Sequence, residues 1–249
     1  MVLDFLNSYP PLLNLPVVLK SLPSYQFGKD TSSARVTHLK CRTHTMSTTT
    51  YLTPTKLVPL DDMVQRSIFF GPAEVSALRR RLSPHLRRCT TFELLAACIW
   101  RCRTIALSPN PNEEVRILCF VNGRRLFIPP LPAGYYGNAV ATPVAISTAG
   151  DLCKQPLDFA LELVMNAKSK VTEEYIKSAA DLMVMRGRPH FTIVRTYIVS
   201  DVTHAISDNM DYGWGTPVYA GPAKGGVGVI PGLLSFHIPF KNNKGERGN

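Results

Sequence analysis

The sequence predicts an α/β fold for residues 56–249, a mixed sheet with helices packed on it, and three observations carry that reading. Apolar, β-prone runs are interspersed with segments of helical apolar spacing. Gly, Pro and Ser punctuate the joins. The chain is 45% hydrophobic and only 18% charged, which excludes wholesale disorder. At 249 residues it is long enough for one large domain or two small ones.

Residues 65–70 are apolar and β-prone and stop at Gly71-Pro72, so they read as a strand. Pro72 suits the first turn of a helix that runs through residues 73–82 and ends near Ser83-Pro84. Thr90 places a hydroxyl three residues before Glu93, a capping-box spacing. The helix it opens, to about Leu107, is apolar nearly all round (Leu94, Leu95, Ala96, Ala97, Ile99, Trp100) and is expected to be buried. The continuous apolar run of residues 115–121 reads as a strand of a covered sheet. Residues 128–137 form a Pro/Gly loop. Residues 156–185 read as helix, with Leu157, Ala160, Leu161, Val164 and Met165 on one stripe. Residues 192–199 are a β-branched strand, 211–232 are rich in Gly and Pro, and 233–240 alternate into a last strand.

Residues 1–55 have another texture. They hold two acidic residues, Asp4 and Asp30, and no Glu, while residues 31–55 carry twelve Ser and Thr. Neither helical spacing nor strand alternation is present. The expected organisation is a segment without stable fold over 1–55 and a folded domain over 56–249. No apolar run approaches the roughly eighteen residues that a membrane span needs. The opening lacks a secretory signal's basic flank and long apolar block. Six Cys without a C-x-x-C pair read as reduced thiols of a cytoplasmic protein.

The net charge of +10 raises nucleic acid as a partner. Arg79-Arg80-Arg81 and Arg87-Arg88 lack interleaved aromatics for base stacking, and cations at a helix end are ordinary, so the run reads as a solvated face. Cys98 and Cys102 share a helix face without further ligands and read as small buried thiols, not a metal site. The segment 221–228 lacks the Gly-Lys-Ser/Thr ending of a phosphate loop and reads as turns. Asp211-Tyr212-Gly213-Trp214-Gly215 is more specific. Two glycines bracketing a Trp imply a tight corner with the aromatic locked between them, the Asp paired with an Arg elsewhere and a ligand nearby.

Those five residues resemble the DFGWG signature of plant BAHD acyltransferases, with Tyr212 in place of Phe. Collinear landmarks agree: Leu57-Val58-Pro59-Leu60-Asp61-Asp62-Met63, Phe69-Phe70-Gly71-Pro72, the stretch from Thr91 to Leu107, and Pro130 through Tyr136-Gly137-Asn138. They are similar to the alcohol acyltransferase branch, benzyl alcohol O-benzoyltransferases included. The resemblance implies the second half of a two-domain fold similar to chloramphenicol acetyltransferase. It implies acyl transfer from acyl-CoA as co-substrate to a small alcohol, with no bound cofactor or metal, by a monomer that binds neither nucleic acid nor membrane. It implies that Asp211 pairs with Arg124 in a structural clamp on the CoA side, although Leu126 stands where the family has a basic residue. Thr91, Tyr136, Gly137 and Asn138 are the implied channel-lining residues.

The family's general base is the His of an H-x-x-x-D motif. His44-Thr45-Met46-Ser47-Thr48 looks like the family's H-T-M-S-D with Thr48 for Asp, but only eight residues separate Thr48 from Leu57. His44 is therefore read as a decoy. Reading residues 1–55 one base out of frame accounts for the segment better. Residues 43–54 can then yield T-H-H-E-Y-D-D-V-P-D-T, and two further stretches likewise give family-like text in order. The expectation is that Met1 stems from an out-of-frame ATG, that the catalytic His lies upstream, and that the family's last strand is missing. The chain is then a fragment inactive alone; the alternative is a non-catalytic or pseudogene product. Sequencing the transcript upstream of Met1 and across codons 50–60 should show H-T-M-S-D codons and a frame change. An open upstream frame without them overturns this reading.

Overall fold

Pro72 opens helix α1 (Pro72–Arg80), because its missing N–H falls where a helix has no internal acceptor. The structure, a computed structural model, describes residues 68–137, 139–186, 194–204, 211, 213–215, 234–241 and 247–248. The segment 1–55, His44, Asn138, Tyr212 and the turns of 221–228 lie outside the described residues.

A single 3-10 turn (Pro84–Leu86) joins α1 to helix α2 (Thr91–Leu107). Arginines bind this joint together. Arg79 donates to the carbonyls of Arg87 and Cys89 at 2.8 and 2.6 Å, and Arg87 to those of Leu82 and Arg80 at 3.0 and 3.3 Å. Part of the basic run thus serves carbonyls around a helix end.

Helix α2 begins with the reciprocal cap that its sequence predicts. Thr90 Oγ1 accepts from the Glu93 amide at 3.2 Å, and Glu93 Oε2 accepts from the Thr90 amide at 2.9 Å. Leu94, Leu95, Ala96, Ala97 and Trp100 are then buried, while Ile99, expected with them, is only half-buried against the core.

Strand β1 (Glu114–Cys119) leads into a small hairpin of β2 (Val121–Asn122) and β3 (Val140–Ala141). Then come strand β4 (Val144–Thr148), helices α3 (Ala149–Lys154), α4 (Leu157–Ser169) and α5 (Glu173–Met185), and strands β5 (Thr196–Asp201) and β6 (Leu234–His237). Strands β7 (Phe240–Lys241) and β8 (Arg247–Gly248) pair with each other. The main sheet has the order β4-β1-β5-β6. Strand β4 is antiparallel to β1, while β1, β5 and β6 are mutually parallel neighbours. Val115, Ile117, Cys119, Tyr197 and Val199 of the sheet share one core with Leu94, Trp100, Leu161 and Val164 of α2 and α4. Leu118 and Ile198 carry a smaller cluster with Phe120 and Leu234.

Four expectations change. Residues 68–70, the described part of the expected strand 65–70, are not in a strand. The single helix over 156–185 is two helices, because Val171 turns into the core and Thr172 starts a new cap, its Oγ1 accepting from the Tyr175 amide at 3.1 Å. Helix α3 was not foreseen. Thr148 starts it, and Arg101 of α2 ends it by donating to the carbonyls of Leu152, Cys153 and Gln155 at 3.1, 2.9 and 3.1 Å. The last strand divides between β6 and β7 around Ile238-Pro239, where proline has no N–H to give a ladder.

Thr90→Ala should lower the free energy of unfolding by about 1 kcal/mol, and Leu161→Ala by about 3 kcal/mol. Urea unfolding at constant m-value reads both.

Candidate functional site

The loop after β2 is built around Arg124. Its amide donates to Asn122 Oδ1 at 3.1 Å, and the Gly123 amide donates to the Ala139 carbonyl at 2.7 Å. Gly123 sits tightly: a Cβ there would meet the tip of the Ile176 side chain of α5, which would have to move, and lie 3.3 Å from the Ala139 oxygen. The Arg124 guanidinium donates to the carbonyls of Tyr135 and Gly137 at 3.0 and 2.7 Å and lies 5.6 Å from the Tyr135 ring centroid. One cation therefore gathers the 126–137 loop, and Tyr136 projects from it fully exposed. On its other side, Glu173 Oε2 accepts from the Ile128 amide at 3.1 Å.

Asp211 closes on itself. Its Oδ1 accepts from the amides of Gly213 and Gly215 at 2.7 and 3.1 Å. That wrap needs φ of +87° and +96° at the two glycines, a left-handed backbone that side chains with a Cβ resist. The corner expected from the two glycines is present. Among the described residues no ion pair joins Asp211 to Arg124: one oxygen of the carboxylate is held by its own turn, and the guanidinium donates to two loop carbonyls. Trp214 is not locked between the glycines either, being 95% exposed. Thr91 is the first residue of α2, half-buried beside the Thr90 cap, and Gly137 is half-buried in the Arg124 loop.

Sequence reasoning missed a second gathering of groups at the carboxyl ends of the parallel strands. Lys168 of α4 is 2.7 Å from Glu93 and 5.0 Å from the centroid of Phe92. The Phe92 ring meets His237 edge-on at 5.3 Å. His237 is 5% exposed, with Nε2 buried and without a hydrogen-bond partner among the described residues. Burial pulls its imidazole down to about 4, against the attraction of Asp201, so it is neutral at pH 7. Burial also pushes the Cys119 thiol up to about 12. Glu93 goes the other way. Burial works to raise it, but bonds from Lys168 and Thr90 outweigh that and lower its pKa. No motif marks this group, and only the capping box hinted at Glu93. The sequence reading also passed over a second H-x-x-x-D spacing, His204 to Asp208. His204 is exposed after β5, and Asp208 lies outside the described residues.

A model of the Transferase family matches residues 23–231. The chain belongs to this family, that of the BAHD acyltransferases. The BAHD match begins inside residues 1–55, where the sequence reading expects no family text. Benzyl alcohol O-benzoyltransferases of Petunia hybrida and Nicotiana tabacum are 67% and 66% identical over 192 residues, 77% of this chain and 42% of each relative. A (Z)-3-hexen-1-ol acetyltransferase of Arabidopsis thaliana is 51% identical over 188 residues, 75% of this chain and 41% of that relative. The chain thus spans about two fifths of the length of these curated BAHD relatives. Among solved structures, F. sporotrichioides TRI101 complexed with coenzyme A and T-2 is similar with a TM-score of 0.55 and 16% identity, over 79% of this chain and 51% of that one. F. graminearum TRI101 with coenzyme A and deoxynivalenol gives 0.54 and 15%, over 72% and 42%. They show the BAHD fold.

A pH series isolates His237. The unfolded chain binds its proton near pH 6.5 and the folded chain only near 4. Stability is therefore whole above about pH 6.5 and falls as the pH drops, by about 3 kcal/mol between pH 7 and 4. His237→Phe should remove that slope in chemical unfolding. The separate loss at lower pH, where the unfolded chain takes up a proton that Glu93, lowered by Lys168 and the cap, resists in the folded chain, should remain.

Proposed function

We propose that residues 56–249 are the carboxyl-terminal part of an acyl-CoA-dependent alcohol O-acyltransferase of plant metabolism. The observation that carries this reading is the 67% identity to the Petunia benzyl alcohol O-benzoyltransferase over 192 residues. In the proposed reaction a histidine takes the proton of the alcohol hydroxyl. The oxygen attacks the thioester carbonyl, and the tetrahedral intermediate collapses with release of the CoA thiolate. Acyl-CoA is the co-substrate, as coenzyme A bound in the TRI101 structures suggests, and the chemistry calls for no metal. This chain's own contribution is a fixed backbone. Arg124 holds the loop that bears Tyr136, and the Asp211 turn holds Trp214.

The base is the weak point. Losing a general base costs roughly 10²–10⁴-fold, and the one H-T-M-S match, His44, has Thr48 where the motif has Asp. We therefore read the chain as inactive alone; a non-catalytic product is the second reading, favoured by Thr48 in the place of the motif's Asp. We place the protein in the cytoplasm, a reading supported by the free thiols of Cys89, Cys98, Cys102, Cys119 and Cys153, and expect a monomer from the family resemblance. No described helix is long and apolar enough to cross a membrane.

Thiol release from benzoyl-CoA with benzyl alcohol tests this. The 249-residue chain should be silent, and the frame-restored protein should turn over. Alanine in place of the histidine in the restored motif should cost roughly 10²–10⁴-fold. Turnover by the chain itself that His44→Ala abolishes would overturn the decoy reading, and loss in His204→Ala would move the base there. A restored protein without turnover on any alcohol would sink the proposal.

A further inference from the structure

Ser83 occupies the joint between α1 and the 3-10 turn, and two opposed sets of charges flank it. Its Oγ donates to Asp158 Oδ2 of α4 at 2.5 Å, and its amide donates to the same oxygen at 3.0 Å. On the chain side lies the run Arg79-Arg80-Arg81-Leu82, and Arg87 folds back onto the Leu82 carbonyl at 3.0 Å. Arg80 and Arg81, three and two residues ahead of the serine, are exposed. The backbone at Ser83 is already extended, with φ −54° and ψ 144°, and Pro84 follows it.

We propose that Ser83 is a phosphorylation site for a basophilic Ser/Thr kinase and that Asp158 masks it. Kinases of this class select substrates by charge pattern, with arginines just before the serine set against acidic pockets. In the step, the serine oxygen forms a bond to the γ-phosphorus of ATP, the bond to the β-phosphate oxygen breaks, and ADP leaves. The hydroxyl proton goes to the kinase's catalytic aspartate. Thr90 has the same spacing from Arg87 and Arg88 but is a poorer acceptor. Its hydroxyl caps α2, the Glu93 carboxylate closes that cap while holding Lys168, and Arg87 is turned back on Leu82 and Arg80.

The product could not keep the present contact. A phosphate of charge near −2 cannot share Asp158 Oδ2, but it is well matched to the guanidinium groups of the joint. Phosphorylation therefore moves the tie of Ser83 from α4 to the arginines and loosens the joint from α4. Leu82 is 1% exposed, so the kinase reaches Ser83 only when this segment opens. The Asp158 tie then governs the rate.

The test uses the full chain, a basophilic kinase (the cAMP-dependent catalytic subunit), magnesium and ATP, with phosphopeptide mass spectrometry. One phosphate should appear on Ser83, and Arg80→Ala with Arg81→Ala should slow its appearance at least about tenfold. Asp158→Ala should speed it several-fold, by about the factor by which it eases opening. Phosphorylation should lower the melting temperature, and by less in Asp158→Asn, where the like-charge clash is gone. Label on Thr90, or a chain that stays unmodified while a peptide of residues 78–88 is phosphorylated, would overturn the proposal. So would an Asp158→Ala rate equal to that of the native chain, as long as its unfolding curve shows it folded.

Discussion

From Leu94 to Cys98 helix α2 offers water almost no face, and that constraint organises its surroundings. Trp100, Leu94 and Leu95 are 1% exposed or less. Each such side chain contributes about 1.5–3 kcal/mol only if something apolar covers it. The sheet covers one side of the helix and α4 another, while α1 and the 3-10 turn close its start. Polar groups appear where the apolar surface ends. Thr90 and Glu93 satisfy the first amides, and Arg101 leaves the far half of the helix to terminate α3. The helix therefore fixes its neighbours by burial and their boundaries by hydrogen bonds.

The same packing sets the electrostatics at the carboxyl ends of β1, β5 and β6. Cys119 and His237 meet the start of α2 in an apolar setting, and burial decides for their neutral forms. Glu93, next to Phe92 in the same turn of α2, has its pKa lowered because Lys168 and the cap supply hydrogen bonds to its carboxylate. Desolvation acts on all three, and the presence or absence of a hydrogen-bonded counter-group determines which way each goes. Nε2 of His237 has no hydrogen-bond partner among the described residues, and a buried polar atom left so is unfavourable by about 1–3 kcal/mol.

How much of this was legible in the sequence follows from the range of each interaction. The capping box and the buried character of α2 are local in sequence, and both were readable from four residues and one periodic run. The break at Lys170-Val171-Thr172 was not, because helical spacing continues across it and only the burial of Val171 reveals the turn. Helix α3 depends on Arg101, some fifty residues away, which no local pattern announces. The Asp211 motif was legible as a corner because its glycines state a backbone requirement. Its partner was not, because family resemblance conveys residue identities while the choice between an intra-turn amide and a distant guanidinium is made by geometry.

That choice bears on the candidate site. A carboxylate oxygen held by two amides of its own turn, and a guanidinium held by two carbonyls of its own loop, fix each backbone segment without reference to the other. From those two segments the large aromatics project, Tyr136 fully exposed and Trp214 nearly so. Rigid backbone carrying uncovered aromatic side chains is the arrangement that binding surfaces favour, since such side chains bring large contact area for little conformational entropy. Asp211 and Arg124 thus hold backbone, and Tyr136 and Trp214 are the exposed side chains that those two segments carry.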